Sequence, residues 1–91
     1  MLFRSIGQWS TSTYSGGKYL IQATRSGERH ITEILITHNG TTAVATEYGS
    51  IWTSSSLATY EVDISGGNFR ILATGTSSTS TVYKILEIHL I

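Results

Sequence analysis

The residues of this 91-residue chain that could do chemistry are three histidines, six carboxylates and a set of Trp and Tyr rings. A metal site needs several ligands within reach of one ion. His30 and His38 fall on one face of one strand pattern, but they are eight residues apart. At a strand's rise that is about 26 Å, so they cannot share an ion. His89, near the C-terminal end, has no acidic or histidine partner at ligand spacing. The three are read as solvated or locally hydrogen-bonded. A glycosidase would need two carboxylates flanking one bond. Glu33 and Glu47 are the obvious pair, yet the hairpin register derived below puts them on opposite faces. Glu61 and Asp63 share a face, and the alternation of their strand marks it as the solvent face. No Ser stands in a G-x-S-x-G setting. Gly16-Gly17 and Gly66-Gly67 sit between strands, where glycine supplies positive φ, and open no phosphate-cradling helix. No catalytic, cofactor-binding or metal-ligating residue is expected, and the chain is read as not an enzyme. Trp9, Trp52, Tyr14, Tyr48 and Tyr60 could stack on sugars. Trp52, in Ser50-Ile51-Trp52-Thr53 before a polar loop, is the best placed. Such rings in a small sandwich more often anchor cores and interfaces.

Composition narrows the classes. Only 13% of residues are charged, six basic against six acidic. Phosphate backbones are bound by clustered Lys and Arg, so no nucleic-acid partner is expected. The same scarcity leaves little charge to keep the surface monomeric. Cysteine is absent, which excludes disulfides and thiolate metal sites. No apolar run approaches the ~20 residues of a membrane helix, and no membrane partner is expected.

The elements that must position these residues read as strands. Apolar residues alternate or cluster in short runs, and turn signals recur about every ten residues, the spacing of a sandwich or barrel. A weak first strand spans 7–14. Lys18–Thr24 follows, with Tyr19, Ile21 and Ala23 on one face. After the turn Arg25-Ser26-Gly27-Glu28 come 29–38 and 41–48, then a short strand over 50–53. Residues 57–64 alternate cleanly, with Tyr60, Val62 and Ile64 inward. Ser65-Gly66-Gly67-Asn68 turns into 69–74, where Phe69, Ile71 and Ala73 align; 81–90 closes the fold. The expectation is an all-β, antiparallel, jelly-roll-like β-sandwich of about seven or eight strands. No proline blunts any edge.

Asn39-Gly40, between two β-branched runs, is the strongest short hairpin signal, because a type I′ turn needs positive φ at both central residues. A two-residue loop there pairs His38 with Thr41. One face then carries Thr32, Ile34, Ile36, Ala43, Ala45 and Glu47; the other carries Ile31, Glu33, Leu35, Val44, Thr46 and Tyr48. Both centres are apolar. The last strand behaves alike, with Val82, Leu86, Ile88 and Leu90 on one side and Tyr83, Ile85 and Ile91 on the other. Only one face of each sheet can meet the internal core. The second is assigned to an interface, with Leu35, Val44 and Tyr48 as its residues.

Met-Leu-Phe-Arg-Ser, residues 1–5, is what a common sequencing-library adaptor would encode from a GTG start. They are read as an assembly scar, and 1–15 as a leader. Residues 16–91 are read as one sandwich domain, the C-terminal piece of a longer protein. MLFRSIGQW lacks the continuous apolar stretch of a secretory leader.

KYLIQAT, then TEILITHNGTTAVATEYGSI, then SLATYEVDISGGNFRILATGTSSTSTVYKI resembles a domain that recurs in virion structural proteins of marine and cyanobacterial tailed phages. The resemblance covers Tyr14 to Ile85. It departs at Ser15-Gly16-Gly17, where an Arg-Ser-Ala-like lead is usual, and at LEIHLI, which is more apolar than the usual basic close. It implies a β-sandwich in a fibre, tail, neck or capsid-decorating protein, located in the extracellular particle. No catalytic residue carries over. It also implies a homo-oligomer, with a trimer favoured, and other virion proteins as partners. The alternative is a carbohydrate-binding or host-adhesion module using Trp52.

Overall fold

The structure, a computed structural model, describes residues 3–91. It is all-β: β1 (Phe3–Ser10), β2 (Gly16–Arg25), β3 (Glu28–His38), β4 (Ala43–Trp52), β5 (Ala58–Ser65), β6 (Asn68–Gly75) and β7 (Val82–Leu90). Two antiparallel sheets pack as a sandwich, one ordered β1-β6-β5 and the other β4-β3-β2-β7. β2, β3 and β4 are successive hairpin strands, and β7 returns beside β2 after the chain has built β5 and β6 in the other sheet. That order is a Greek key, within the antiparallel β-sandwich expected.

Two tight turns follow from sequence. Ser26 and Gly27 have φ of 51° and 82°, and Gly66 and Gly67 have 60° and 81°. Positive φ at both positions matches the right-handed twist of the flanking strands. The Asn39-Gly40 hairpin differs from the expected form. Its loop has four residues, and His38 pairs with Ala43 rather than Thr41. The Asn39 side-chain oxygen accepts from the backbone N–H of Thr41 and of Thr42, and the Asn39 N–H donates to the Thr42 carbonyl. Asn39 thus closes a local turn with its own amide, which competes with the two-residue form. The register slips by two, an even number, so each side chain keeps the expected face.

A β-bulge then interrupts the pairing: Ile34 faces Glu47 and Glu33 faces Gly49, leaving Tyr48 unpaired. The extra residue turns Ser50 and Trp52 back toward Thr32 and His30. The short strand expected over 50–53 is therefore the continuation of β4. The domain boundary expected at residue 16 also shifts. β1 ends at Ser10, and Phe3, Arg4 and Ser5 pair with Thr74, Ala73 and Leu72 of β6. Three residues of the suspected scar thus lie in a sheet; Met1 and Leu2 fall outside the described residues.

The core lies between the sheets. Tyr19, Ile21, Ile34 and Ile36 from one meet Phe69 and Ile71 from the other, all buried. Each such side chain contributes about 1.5–3 kcal/mol. Trp9, Tyr14, Tyr60, Val62, Tyr83 and Ile85 close its margins. Among the described residues, none packs over the other face of the four-stranded sheet, whose Leu20, Leu35, Val44, Leu86, Ile88 and Leu90 are exposed.

Candidate functional site

The outer face of β4-β3-β2-β7 is a grid fixed by strand pairing. One row reads Val44, Thr37, Gly16, Leu90; the next reads Thr46, Leu35, Lys18, Ile88. Then come Gly49, Glu33, Leu20 and Leu86, followed by Ile51, Ile31, Gln22 and Lys84. Leu35 is 46% exposed, Val44 55%, Leu86 63% and Leu90 62%. Between them runs an apolar groove of about 490 Å³, with Gly16 and Gly17 on its floor and Leu35, Val44, Ile88 and Leu90 on its walls. Glycine is required there by contact as well as by the void. A Cβ on Gly17 would lie 1.9 Å from the Ile88 carbonyl oxygen, and one on Gly16 2.1 Å from that of Ile36. Scattered surface aliphatics are ordinary in monomers. Here Leu20, Leu35, Val44, Leu86, Ile88 and Leu90 share one sheet face, a larger exposed apolar patch than scattered residues make.

One polar group punctuates the face. The Lys18 ammonium lies 3.2 Å from the Glu33 carboxylate, and the Tyr48 hydroxyl joins both. The bulge puts Tyr48 within their reach. Hydrogen bonding to Glu33 and Tyr48 raises the Lys18 pKa, and hydrogen bonding from Tyr48, then Lys18, lowers that of Glu33. The pair stays charged and mutually neutralised.

Leu35, Val44 and Tyr48 thus stand on one face, as the register places them. Leu35 and Val44 wall the groove, and Tyr48 caps the ion pair. The sequence reading did not single out Leu20, which sits mid-face on β2, and it placed Gly16 and Gly17 between strands, whereas both lie within β2. Leu20 was legible as the residue out of step with Tyr19, Ile21 and Ala23.

The other candidates do not converge. His30 is buried. Its Nδ1 accepts the Leu57 backbone N–H at 3.1 Å, so Nε2 carries the proton and donates to Ser50 Oγ at 2.7 Å. His38 Nε2 lies 2.6 Å from the Tyr14 carbonyl oxygen. His89 corrects an expectation: it has an acidic partner. Alternation puts Glu87 on the same face, and its carboxylate is 3.0 Å from His89 Nε2. Tyr14 stacks on the same imidazole at 4.1 Å. One histidine with one carboxylate is a polar plug, and among the described residues no group of three potential ligands forms. Asp63 is held by both nitrogens of the Arg70 fork at 2.7 and 2.6 Å, which lowers its pKa. Glu33 and Glu47 lie on opposite faces. Trp52 is half exposed at the end of β4, edge-on to His30 with centroids 5.2 Å apart.

No family model, curated protein or solved structure matches the chain.

Proposed function

We propose that the chain is a non-enzymatic structural module that works by assembly, docking the outer face of its four-stranded sheet on the same face of a second copy. The observation that carries this is the groove-bearing apolar face, with Leu20, Leu35, Val44, Leu86, Ile88 and Leu90 all exposed on it. Four strands of nine or so residues make a footprint of about 19 by 30 Å, or roughly 570 Å² before side-chain relief. That approaches the ~800 Å² per partner of a standard interface. Charge opposes self-contact only at the margin: Lys18 and Glu33 neutralise one another in mid-face, which leaves Lys84 on the edge strand β7. A single flat patch meets itself about a two-fold axis, whereas the trimer expected from the resemblance needs two different patches. The resemblance to phage virion domains supplies the setting: a fibre, tail, neck or capsid-decorating component, with other virion proteins beyond the self-contact.

The test is Leu35→Asp followed by solution mass from light scattering. A carboxylate in the groove wall dissociates the face-to-face contact and leaves the fold intact. A variant that keeps the wild-type mass removes this face from the assembly. The half-exposed Trp52 ring beside the polar residues 53–56 supports a second reading, glycan binding. Saturable binding lost in Trp52→Ala is its signature, and binding unchanged by that substitution eliminates the site.

A further inference from the structure

We infer that the free edge of β7 is a second self-association site, pairing antiparallel with β7 of another copy in the register that sets Leu86 opposite the partner's Leu86. Two sheets then become one of eight strands. This rests on the same assembly reading but uses a different surface, the strand edge rather than the sheet face.

The sandwich leaves four edges. β1 is irregular between Ser5 and Gly7, and β4 carries the Tyr48 bulge. β5 alternates outward charge, Glu61 and Asp63. Bulges and charge are the devices that stop strands from adding partners. β7 has no bulge and no proline across its nine residues, and it pairs with β2 without interruption from Val82 to Leu90; its two charges, Lys84 and Glu87, have opposite sign and stand on opposite faces.

The hydrogen-bonding arithmetic fixes the register. The Ser15 carbonyl accepts from the His38 N–H, and Ser26-Gly27 closes β2 on β3 with Arg25 opposite Glu28. The odd-numbered residues of β2 therefore direct their backbone groups at β3, and the even-numbered ones at β7. Their partners 82, 84, 86, 88 and 90 point back at β2. Tyr83, Ile85, Glu87 and His89 direct their N–H and C=O groups at the open edge. An antiparallel partner must match those four with its own four. The pairing of Tyr83 with the partner's His89, and of Ile85 with the partner's Glu87, uses all of them and forms about eight backbone hydrogen bonds. Shifting by two residues either way loses pairs.

In that register the outer-face residues become the non-hydrogen-bonded pairs, whose side chains are closest. They are Leu86 with the partner's Leu86, Ile88 with the partner's Lys84 and Leu90 with the partner's Val82. The seam is apolar except for lysine stems, and no like charges stand directly opposite. The two-fold axis runs perpendicular to the sheet, so both apolar faces stay on one side.

The absence of cysteine makes the test clean. In the full chain, Leu86→Cys places two thiols in a pair with Cα atoms about 4.5 Å apart, within disulfide range. Oxidation is expected to give a covalent dimer. Ile88→Cys leaves its thiols about 13 Å apart along the strand and gives none. Glu87→Pro removes an edge-facing N–H while sparing every bond to β2, and added to Leu86→Cys it abolishes the cross-link. Equal cross-linking by both cysteine variants overturns the register. Cross-linking of Leu86→Cys that survives Glu87→Pro overturns edge pairing and assigns the contact to the sheet face. No covalent dimer in any variant overturns the proposal, and leaves the Leu35→Asp result to stand or fall separately.

Discussion

His30 is where a single residue reads out most about this molecule. It is 2% exposed, and its Nδ1 lone pair is taken by the Leu57 N–H. A proton on Nδ1 would point one donor at another and break the bond. Leu57 is the corner where the chain crosses between sheets: its carbonyl also accepts from Arg25 Nη2 at 2.7 Å and from the Thr76 N–H at 3.0 Å. Burial lowers the His30 pKa, and attraction from Glu47 opposes this more weakly. The folded value thus lies below the unfolded one, so the unfolded chain takes up more protons. Stability is complete above the ordinary histidine value and is lost as pH falls through it. The melting temperature of the wild type is expected to drop from about pH 7 to about pH 5 more than that of His30→Gln. Equal slopes would show that His30 does not govern the acid limb. Tyr60 offers the converse case. Its hydroxyl is buried without a hydrogen-bond partner among the described residues. Tyr60→Phe removes that unsatisfied group and is expected to stabilise by about 1 kcal/mol in denaturant titration. A destabilised variant would mean the hydroxyl is bonded in solution.

At the scale of elements, β2 is the strand on which both sheet and groove depend. Gly17→Ala puts a methyl group against the Ile88 carbonyl, backbone against backbone, with no side chain free to yield. Prying β2 from β7 is expected to cost about 1–3 kcal/mol, measured as a shift in the denaturation midpoint. A neutral Gly17→Ala would show that the strands separate more easily than their pairing implies. β2, β5 and β6 were legible from sequence because inward residues alternate with polar ones, as in Ile21-Gln22-Ala23, Tyr60-Glu61-Val62 and Phe69-Arg70-Ile71. β1 was read only in part, as a weak strand over 7–14 where it spans Phe3–Ser10, because SIGQWS has no such alternation and its place in a sheet comes from pairing with β6, some sixty residues on. The Tyr48 bulge leaves no local trace either. Gly49 reads as a break between a strand over 41–48 and another over 50–53, and only the fit of Trp52 and Ser50 to His30 and Thr32 across the strand makes it a bulge in one strand. The outer face was legible even though its loop was misjudged, since a two-residue slip preserves the parity that sorts Leu35 and Val44 from Ile34 and Ile36.

For the whole molecule, the two proposed contacts have perpendicular axes. The edge contact turns about an axis normal to the sheet, and the face contact about one lying in the interface plane. Where the face axis crosses the strands level with Leu86 and meets the edge axis, the two contacts close into a tetramer of two stacked eight-stranded sheets. The expected wild-type mass in light scattering is four chains. Leu35→Asp leaves edge-paired dimers, Glu87→Pro leaves face-paired dimers, and the double variant is monomeric. The forces differ between the contacts, so their responses to conditions differ too. The face is mainly apolar, with one internally neutralised ion pair and Lys84 on its edge strand, so added salt should not dissociate the Glu87→Pro dimer. Cooling should loosen it, because apolar burial weakens as temperature falls. The Leu35→Asp dimer is held by backbone hydrogen bonds and should change less on cooling. A Glu87→Pro dimer that separates in high salt would mean charge, not apolar area, holds the faces together. In that case the groove walled by Leu35, Val44, Ile88 and Leu90 would be a site for something other than a second copy.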